Sequence, residues 1–577
     1  MDKIEALGEV ISADVLVIGG SISGGMAAIK ARENGADVLI VDKATVGWGG
    51  QAPLAGGGTL VLTPEMDKEQ FVSWLVSYGE YLNDQDWLNA MACDSWEVVK
   101  EAADWGAYQK HGDLPAAARF ASFQTHYRFA QMCPANIELP FKNKAKKLGV
   151  RMINKTVITD LIKEGNRVVG ATGFNIVDNS FHILKAKAVI LAAGSCDFRT
   201  NRLCSSTGEA VAMAYRAGAE LRNVEFNNLY APSTRYYDIW ADGNADEYFY
   251  NSVGENLHDK YMPGATSDYR KMVLGMMKEI SAGRGPITME LEKMPEQDRD
   301  LITQSFSIRE VKEIVTKMPL PARKPIKLFS NCWIWETYKK VGIDPFKEKI
   351  EIWPSLQSKS GPVRVNLDAA TTVEGLWAVG DTSVQGAGWS GAIGGPGQMH
   401  GSATAYCLIS GSRAGRSASE YAKKNRLKNP NSETVNKLKN TAMEPLQRTG
   451  QLSLNDTFYN VQATVAPVKY NLFRREDRLK EALGKIQLIK ESLAKTPAKD
   501  GHYLCKYHEV KSMATCAEAI FRTSLMRTES RGYHIREDYP EKDDKNWLKW
   551  IIIKADGDSM KLSNEPVPFE KYRIKPL

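Results

Sequence analysis

The sequence predicts an α/β chain organised on a Rossmann-like dinucleotide-binding unit, and three observations carry that expectation. The stretch Ala13 to Asp42 runs from an apolar segment through a glycine turn and a small-residue helix to a second apolar segment ending on an acid. Two further apolar strands end on glycine, Ala188 to Gly194 and Gly375 to Gly380-Asp381. Glycine-rich loops follow Asp42 and Asp381, as backbone wrapped around a flat, extended ligand requires.

Val15 to Ile18 is the first strand, and the turn after it reads Gly19-Gly20-Ser21-Ile22-Ser23-Gly24, with Ser21 at the middle glycine of G-x-G-x-x-G. Glycine lets this turn approach a diphosphate, which meets free N–H groups at the positive end of the following helix. Val38 to Val41 is the next strand, and Asp42 at its end is placed to accept hydrogen bonds from a ribose diol. The loop from Lys43 carries Gly47, Gly49, Gly50 and Gln51 before Gly56-Gly57-Gly58.

A length of 577 residues allows about three or four domains. The composition, 43% apolar and 25% charged, is that of a soluble globular protein, and no apolar run is long enough to span a bilayer. Residues 1–12 lack a signal-peptide core, so a cytoplasmic location is expected. The net charge of +6 comes without a long basic block, which favours acidic small molecules or an acidic partner over nucleic acid. The eight cysteines form no C-x-x-C pair, which speaks against a metal site or an iron–sulfur cluster of the chain's own.

Further along, Asp67 to Trp105 has helical spacing, with Trp74, Trp87, Trp96 and Trp105 as packing residues. Phe141 to Val150 reads as a helix, Met152 to Val157 as a strand, and Gly165-Asn166 as a hairpin turn leading to Val168-Val169-Gly170. The strand Ala188 to Gly194 includes Ala193 and returns to the sheet beside the nucleotide turn. Thr207-Gly208-Glu209 opens a small-residue helix, and from Glu225 the chain becomes aromatic and polar, marking a domain boundary. Core-like sequence resumes at Val363, a small-residue helix runs from Ser402 to Gly411, and from about Lys423 the pattern is polar and helical.

Taken together, the fingerprint, Asp42-Lys43, the glycine loop, Val157 within TVITDLI, Thr207-Gly208-Glu209, Gly375 to Asp381 and the C-terminal Arg527 to His534 with Arg536-Glu537-Asp538 resemble one family. It is that of the flavoprotein subunits of succinate dehydrogenase and fumarate reductase, with features of the adenylylsulfate reductase alpha subunit. The resemblance covers nearly the whole chain. It implies a Rossmann-like FAD-binding domain with an inserted α+β capping domain and a C-terminal helical domain. The limits we assign are 1–234 for the first part of the FAD domain, 235–360 for the cap, 361–425 for the second part and 426–577 for the mainly helical C-terminal domain.

The resemblance implies FAD held by Gly19, Gly20, Ser21, Ser23, Gly24, Asp42, Lys43, Gly49, Gly50, Gln51, Val157, Ala193, Gly194, Thr207, Glu209, Gly380 and Asp381. Many members tether FAD to a histidine whose place is taken here by Gly49, which implies noncovalent FAD. Arg284 in GRGPITMEL looks like the cap arginine that donates a proton in fumarate reductases. Tyr230, Lys359, Trp389 and His400 are candidates for orienting the substrate.

The histidine and arginine that clamp a dicarboxylate are missing around Tyr230-Ala231-Pro232 and Trp389, so plain fumarate or succinate is not the expected substrate. Instead, Phe226 to Pro232 and Gln357 to Gly361 align with adenylylsulfate reductase, with Lys359 near its active-site histidine. Three functions are therefore carried forward. The first is FAD-dependent reduction or formation of an activated carbon–carbon double bond, with electrons passing to or from a separate iron–sulfur subunit. The others are flavin–sulfite chemistry and an electron-transfer subunit without a substrate of its own.

Overall fold

The computed structural model describes residues 4–54, 57–108, 110–115, 117–118, 127–132, 136–200, 205–226, 228–235, 245–263, 269–296, 338, 340–359, 361–383 and 401–576. The chain opens with strand β1 (Glu9–Ile18), helix α1 (Ile22–Glu33) and strand β2 (Val38–Val41). Both strands are apolar at successive positions because both faces of the sheet are covered. The expected helical stretch from Asp67 is two helices. The second of these, α2 (Gln85–Asp104), is preceded by Asp84, whose carboxylate accepts the Trp87 N–H and restarts the helix.

Helix α3 (Leu139–Lys147) leads to β3 (Arg151–Ile153), β4 (Thr156–Glu164), β5 (Arg167–Asn175) and β6 (Phe181–Leu191). The strand expected over Met152 to Val157 is thus divided between β3 and β4, and Lys155 at the break has φ +57°. The hairpin at Gly165-Asn166 is present, with Arg167 opposite Glu164. Helix α4 (Glu209–Ala217) follows.

The main sheet has the order β3-β2-β1-β6-β5-β4. Strands β3, β2, β1 and β6 are mutually parallel. The first half of β6 pairs antiparallel with β5, and its second half pairs in parallel with a late strand described below.

A second sheet contains β7 (Asn228–Thr234), β8 (Phe249–Tyr250), β9 (Ile287–Met289) and β10 (Ile350–Lys359), with helix α5 (Tyr269–Ser281) between β8 and β9. The order is β7-β10-β9-β8, all antiparallel. It has a core of its own around Phe249, Met272, Ile287 and Ile352. The chain then re-enters the first sheet as β11 (Leu376–Ala378), the partner of β6, and continues into α6 (Ser402–Lys424).

Helix α6 lies close against α1 because its contact face is built from small residues. A Cβ on Gly415 would sit 2.3 Å from the Ala27 carbonyl oxygen, so only glycine admits this approach. Beyond it come α7 (Glu476–Leu493) and α8 (Gly501–Met526). The C-terminal part, expected to be mainly helical, also forms an antiparallel hairpin, β12 (Lys549–Asp556) and β13 (Ser559–Pro566), paired to Leu221–Arg222. Its two-residue turn is Gly557-Asp558, with Gly557 at φ +58°, a hairpin signal that polar composition masked. Among the described residues no helix is long and apolar enough to cross a membrane.

Candidate functional site

The carboxyl ends of β2, β1, β6 and β11 meet at one edge of the main sheet. The Gly19 N–H bonds Val41 O at 2.8 Å, the Ala192 N–H bonds Ile18 O at 2.8 Å, and the Val379 N–H bonds Leu191 O at 3.0 Å. Open parallel sheets bind ligands in such a crevice. The Gly19 backbone has φ +106°, and a Cβ there would lie 2.4 Å from Ala192 O. Ser21 precedes α1 without capping it through its side chain. The first N–H groups of α1 thus keep orphan donors of the kind that suit an anion.

Asp42 is 9% exposed and braces the turn, its Oδ2 accepting the Gly20 N–H and its Oδ1 the Ala44 N–H, each at 2.7 Å. Carboxylate oxygens hold further lone pairs for a ribose. Gly49 lies against this acid, for a Cβ there would meet Asp42 Oδ1 at 3.1 Å. Val157 is one residue beyond Thr156, whose N–H bonds the Asp42 carbonyl at 3.0 Å. Its own side chain packs with Phe174 and Leu504.

Lys43, Thr207 and Glu209 come together, and the structure adds a partner that the sequence did not reveal. The Lys43 Nζ donates to Glu209 Oε1 at 2.5 Å, to Glu509 Oε1 of α8 at 2.7 Å and to Thr207 Oγ1 at 3.2 Å. Arg199 also donates to Glu509, at 2.8 Å. Burial opposes the Lys43 charge, but Glu209 and Glu509 outweigh it and hold the proton more tightly than usual. This cluster ties the nucleotide-binding sheet to the C-terminal helix.

Towards the other end of the crevice, Gln51 donates to Asp197, which also accepts the Ser195 hydroxyl at 3.0 Å. Thr382 donates to the Gly194 carbonyl at 3.0 Å, and the Gly380 N–H bonds Ser410 of α6 at 3.0 Å. A Cβ on Gly380 would be 2.6 Å from Ser23 Oγ. Burial and neighbouring Asp197 push the Asp381 carboxyl up to about 8.

Of the substrate candidates, Trp389 and His400 lie outside the described residues. Tyr230 and Lys359 belong to the paired strands β7 and β10, with Tyr230 opposite Leu356 and Asn228 opposite Lys359. Arg284 follows α5, and its guanidinium forks onto Glu279, with Nε at 2.5 Å and a terminal nitrogen at 3.1 Å. Hydrogen bonding to Glu279 raises the Arg284 pKa, and the same bond lowers that of Glu279.

Sequence reasoning passed over Glu138, Asp197, Glu279 and Glu509. Glu138 directly precedes α3 and is 1% exposed. Burial pushes its carboxyl up to about 8; the Asp42 charge adds to the shift, while the Ser21 hydroxyl and the Gly49 backbone oppose it. None of these acids lies in a motif or a periodic pattern, so only the fold identifies them.

The chain matches the family model of the FAD binding domain over residues 14–244 and that of the fumarate reductase flavoprotein C-terminus over 463–577. The fumarate reductase flavoprotein subunit of Mycobacterium tuberculosis is 25% identical, the alignment covering 97% of this chain and 98% of that protein. In fold, the chain resembles FrdA of E. coli quinol fumarate reductase, with a TM-score of 0.81 at 19% identity over 99% of this chain and 98% of that one. It also resembles adenylylsulfate reductase of Archaeoglobus fulgidus, with a TM-score of 0.75 at 21% identity and 98% of each chain covered. The crevice, with its open helix N-terminus, terminal acid and second acid at Asp381, fits the cofactor that these models name. The chain is an FAD-binding oxidoreductase homologous to the flavoprotein subunits of fumarate reductase and succinate dehydrogenase.

Proposed function

We propose that this protein reduces, or forms, an activated carbon–carbon double bond and exchanges the electrons with a separate iron–sulfur protein. FAD, when bound, supplies or accepts the hydride. The observation that carries the reading is the Arg284–Glu279 pair. A guanidinium holds its proton tightly, and pairing with a carboxylate strengthens the hold. It can still protonate the carbanion that hydride addition leaves beside an acyl group, which is a far stronger base.

Glu279 is buried and gathers Asn251 at 2.8 Å, the Tyr261 hydroxyl and Lys260 at 3.1 Å. These groups link Arg284 to Lys260, whose side chain is 35% exposed, as a route for returning protons. The Arg284 side chain keeps 37% of its surface exposed, leaving it within a substrate's reach. Tyr230, Lys359, Trp389 and His400 orient that substrate, which is an enoate or enone other than plain fumarate.

The test is anaerobic reduction of the flavoprotein followed by reoxidation against a panel of enoates, enones and adenylylsulfate. Arg284→Ala should lower reoxidation by an enoate by at least about 100-fold while flavin content stays unchanged. Undiminished turnover in that variant removes the donor role. Because Gly49 offers no side chain, acid precipitation should release all the flavin into the supernatant; flavin retained in the pellet would show a covalent bond elsewhere.

A second reading, flavin–sulfite chemistry, is favoured by the pairing of β7 with β10, which sets side by side the two segments that align with adenylylsulfate reductase. Sulfite titration separates the two readings, since bleaching of the flavin band belongs only to the second. Flavin reduction by a partner without any ligand beneath the cap would instead mark an electron-transfer subunit.

A further inference from the structure

Glu138 stands out among the buried acids because, although its side chain is wholly inside the protein, neither carboxylate oxygen makes a well-formed hydrogen bond among the described residues; the Ser21 hydroxyl and the Gly49 backbone only approach it. A buried ionised carboxylate in that condition is strongly disfavoured. The residue does not cap its own helix. Its place is set by Asn136, whose Nδ2 donates to the Gly47 carbonyl at 2.8 Å and whose Oδ1 accepts the Glu138 N–H at 3.0 Å. Asn136 therefore pins the end of α3 to the loop after β2, and the Glu138 side chain faces Ser21 of the phosphate turn, Gly49 and Asp42.

Among the described residues no cation is positioned to neutralise it. Lys43 is committed to Glu209 and Glu509, and Lys144 of α3 pairs with Glu33 of α1 at 3.1 Å. On α1, Lys30 bonds Glu33 at 3.1 Å and also pairs with Glu101 of α2. Lys142, one turn along α3, lays its stem over Gly47. The one charge acting on Glu138 from the site itself is the like charge of Asp42.

We propose that Glu138 is a further FAD-binding residue, meeting the cofactor's diphosphate as a neutral carboxyl that donates its O–H to a phosphate oxygen. Ribose hydroxyls are met by Asp42, whereas Ser21, the neighbour of Glu138, belongs to the turn that receives the phosphates. A donor carboxyl satisfies an otherwise orphaned group and adds no negative charge to a site that must accept an anion. Ionisation of Glu138 would reverse both effects, so FAD affinity depends on its proton. Below about pH 8 the proton is present; above it, binding FAD must draw a proton from solution, and affinity falls.

The experiment measures the FAD dissociation constant of the full-length holoprotein by the recovery of flavin fluorescence on dilution, between pH 7 and 9.5. Wild type is compared with Glu138→Gln, which keeps a donor that cannot ionise, and with Glu138→Ala. The ratio of the wild-type constant to the Glu138→Gln constant cancels titration elsewhere in the site, including that of Asp381. It is expected to rise on the order of tenfold across the range. Glu138→Ala should bind about tenfold more weakly than wild type at pH 7. A ratio that stays constant with pH overturns the proposal, as does Glu138→Ala binding as tightly as wild type. If the alanine variant does not fold, the ratio decides alone.

Discussion

Gly24→Val should yield folded protein that purifies without flavin. A Cβ at this position would sit 2.0 Å from the Gly19 carbonyl oxygen, well inside any tolerable contact. Relief by moving Gly19 is closed off, because Gly19 is itself wedged 2.4 Å (Cβ position) from Ala192 O and bonded to Val41 O at 2.8 Å. The remaining escape is to displace the first turn of α1, which removes the N–H groups on which the expected diphosphate would rest. Losing two charge-assisted hydrogen bonds at about 1.5 kcal/mol or more each weakens FAD by at least about 100-fold. The β1 ladders to β2 and β6 end at Ile18 and are untouched, so the sheet survives. Flavin absorbance relative to protein, together with far-UV circular dichroism, reads both expectations. Even Gly24→Ala carrying stoichiometric flavin would contradict this account of the turn.

The second large effect is expected at Arg527, in the C-terminal motif. Arg527, Glu225 and Glu529 are all fully buried. The guanidinium donates to Glu225 at 2.8 Å, to Glu529 at 2.9 Å, and to the carbonyls of Trp547 and Lys549 at 3.0 and 2.8 Å. Arg527→Met keeps the volume but strands Glu225, because Glu529 retains Arg531 at 2.8 Å while Glu225 loses its bond to a guanidinium. Leaving one member of a buried pair costs about 3–5 kcal/mol.

The loss should depend on pH. Burial already raises the Glu225 pKa against the pull of Arg527, and without the arginine it rises further. A folded-state pKa above the unfolded value of about 4.3 means that the folded protein binds the extra proton, so stability falls as pH climbs through that window. Urea unfolding should therefore show a smaller deficit at pH 5.5 than at pH 8. A deficit under about 1 kcal/mol at both values would mean that the network is not needed to hold the chain together.

Much of the backbone that frames the candidate site was legible because it is written in local physics. The strand, glycine turn, helix and terminal acid from Val15 to Asp42 lie within one supersecondary unit, where each residue type is dictated by its own backbone conformation or by close approach. The hairpin at Gly165 followed for the same reason. The C-terminal hairpin was missed although Gly557-Asp558 marks its turn, since one face of β13 is solvated and its polar residues read as helix surface. The strand across Lys155 was drawn unbroken because nothing nearby signals a left-handed residue without glycine.

By itself, the sequence determined the strand, glycine turn, helix and terminal acid from Val15 to Asp42, and with the resemblance it led to the expectation of a dinucleotide running from Gly19 to Gly24 towards Asp381. Only the tertiary structure decided which charges those elements meet. Lys43 is spent on a carboxylate more than four hundred residues away, Arg284 is forked onto Glu279, and Glu138 is lodged, unpaired, beside Ser21. The physical reason is that backbone geometry is a property of neighbours in the chain, whereas the protonation and pairing of a buried charge depend on whatever folding brings to it.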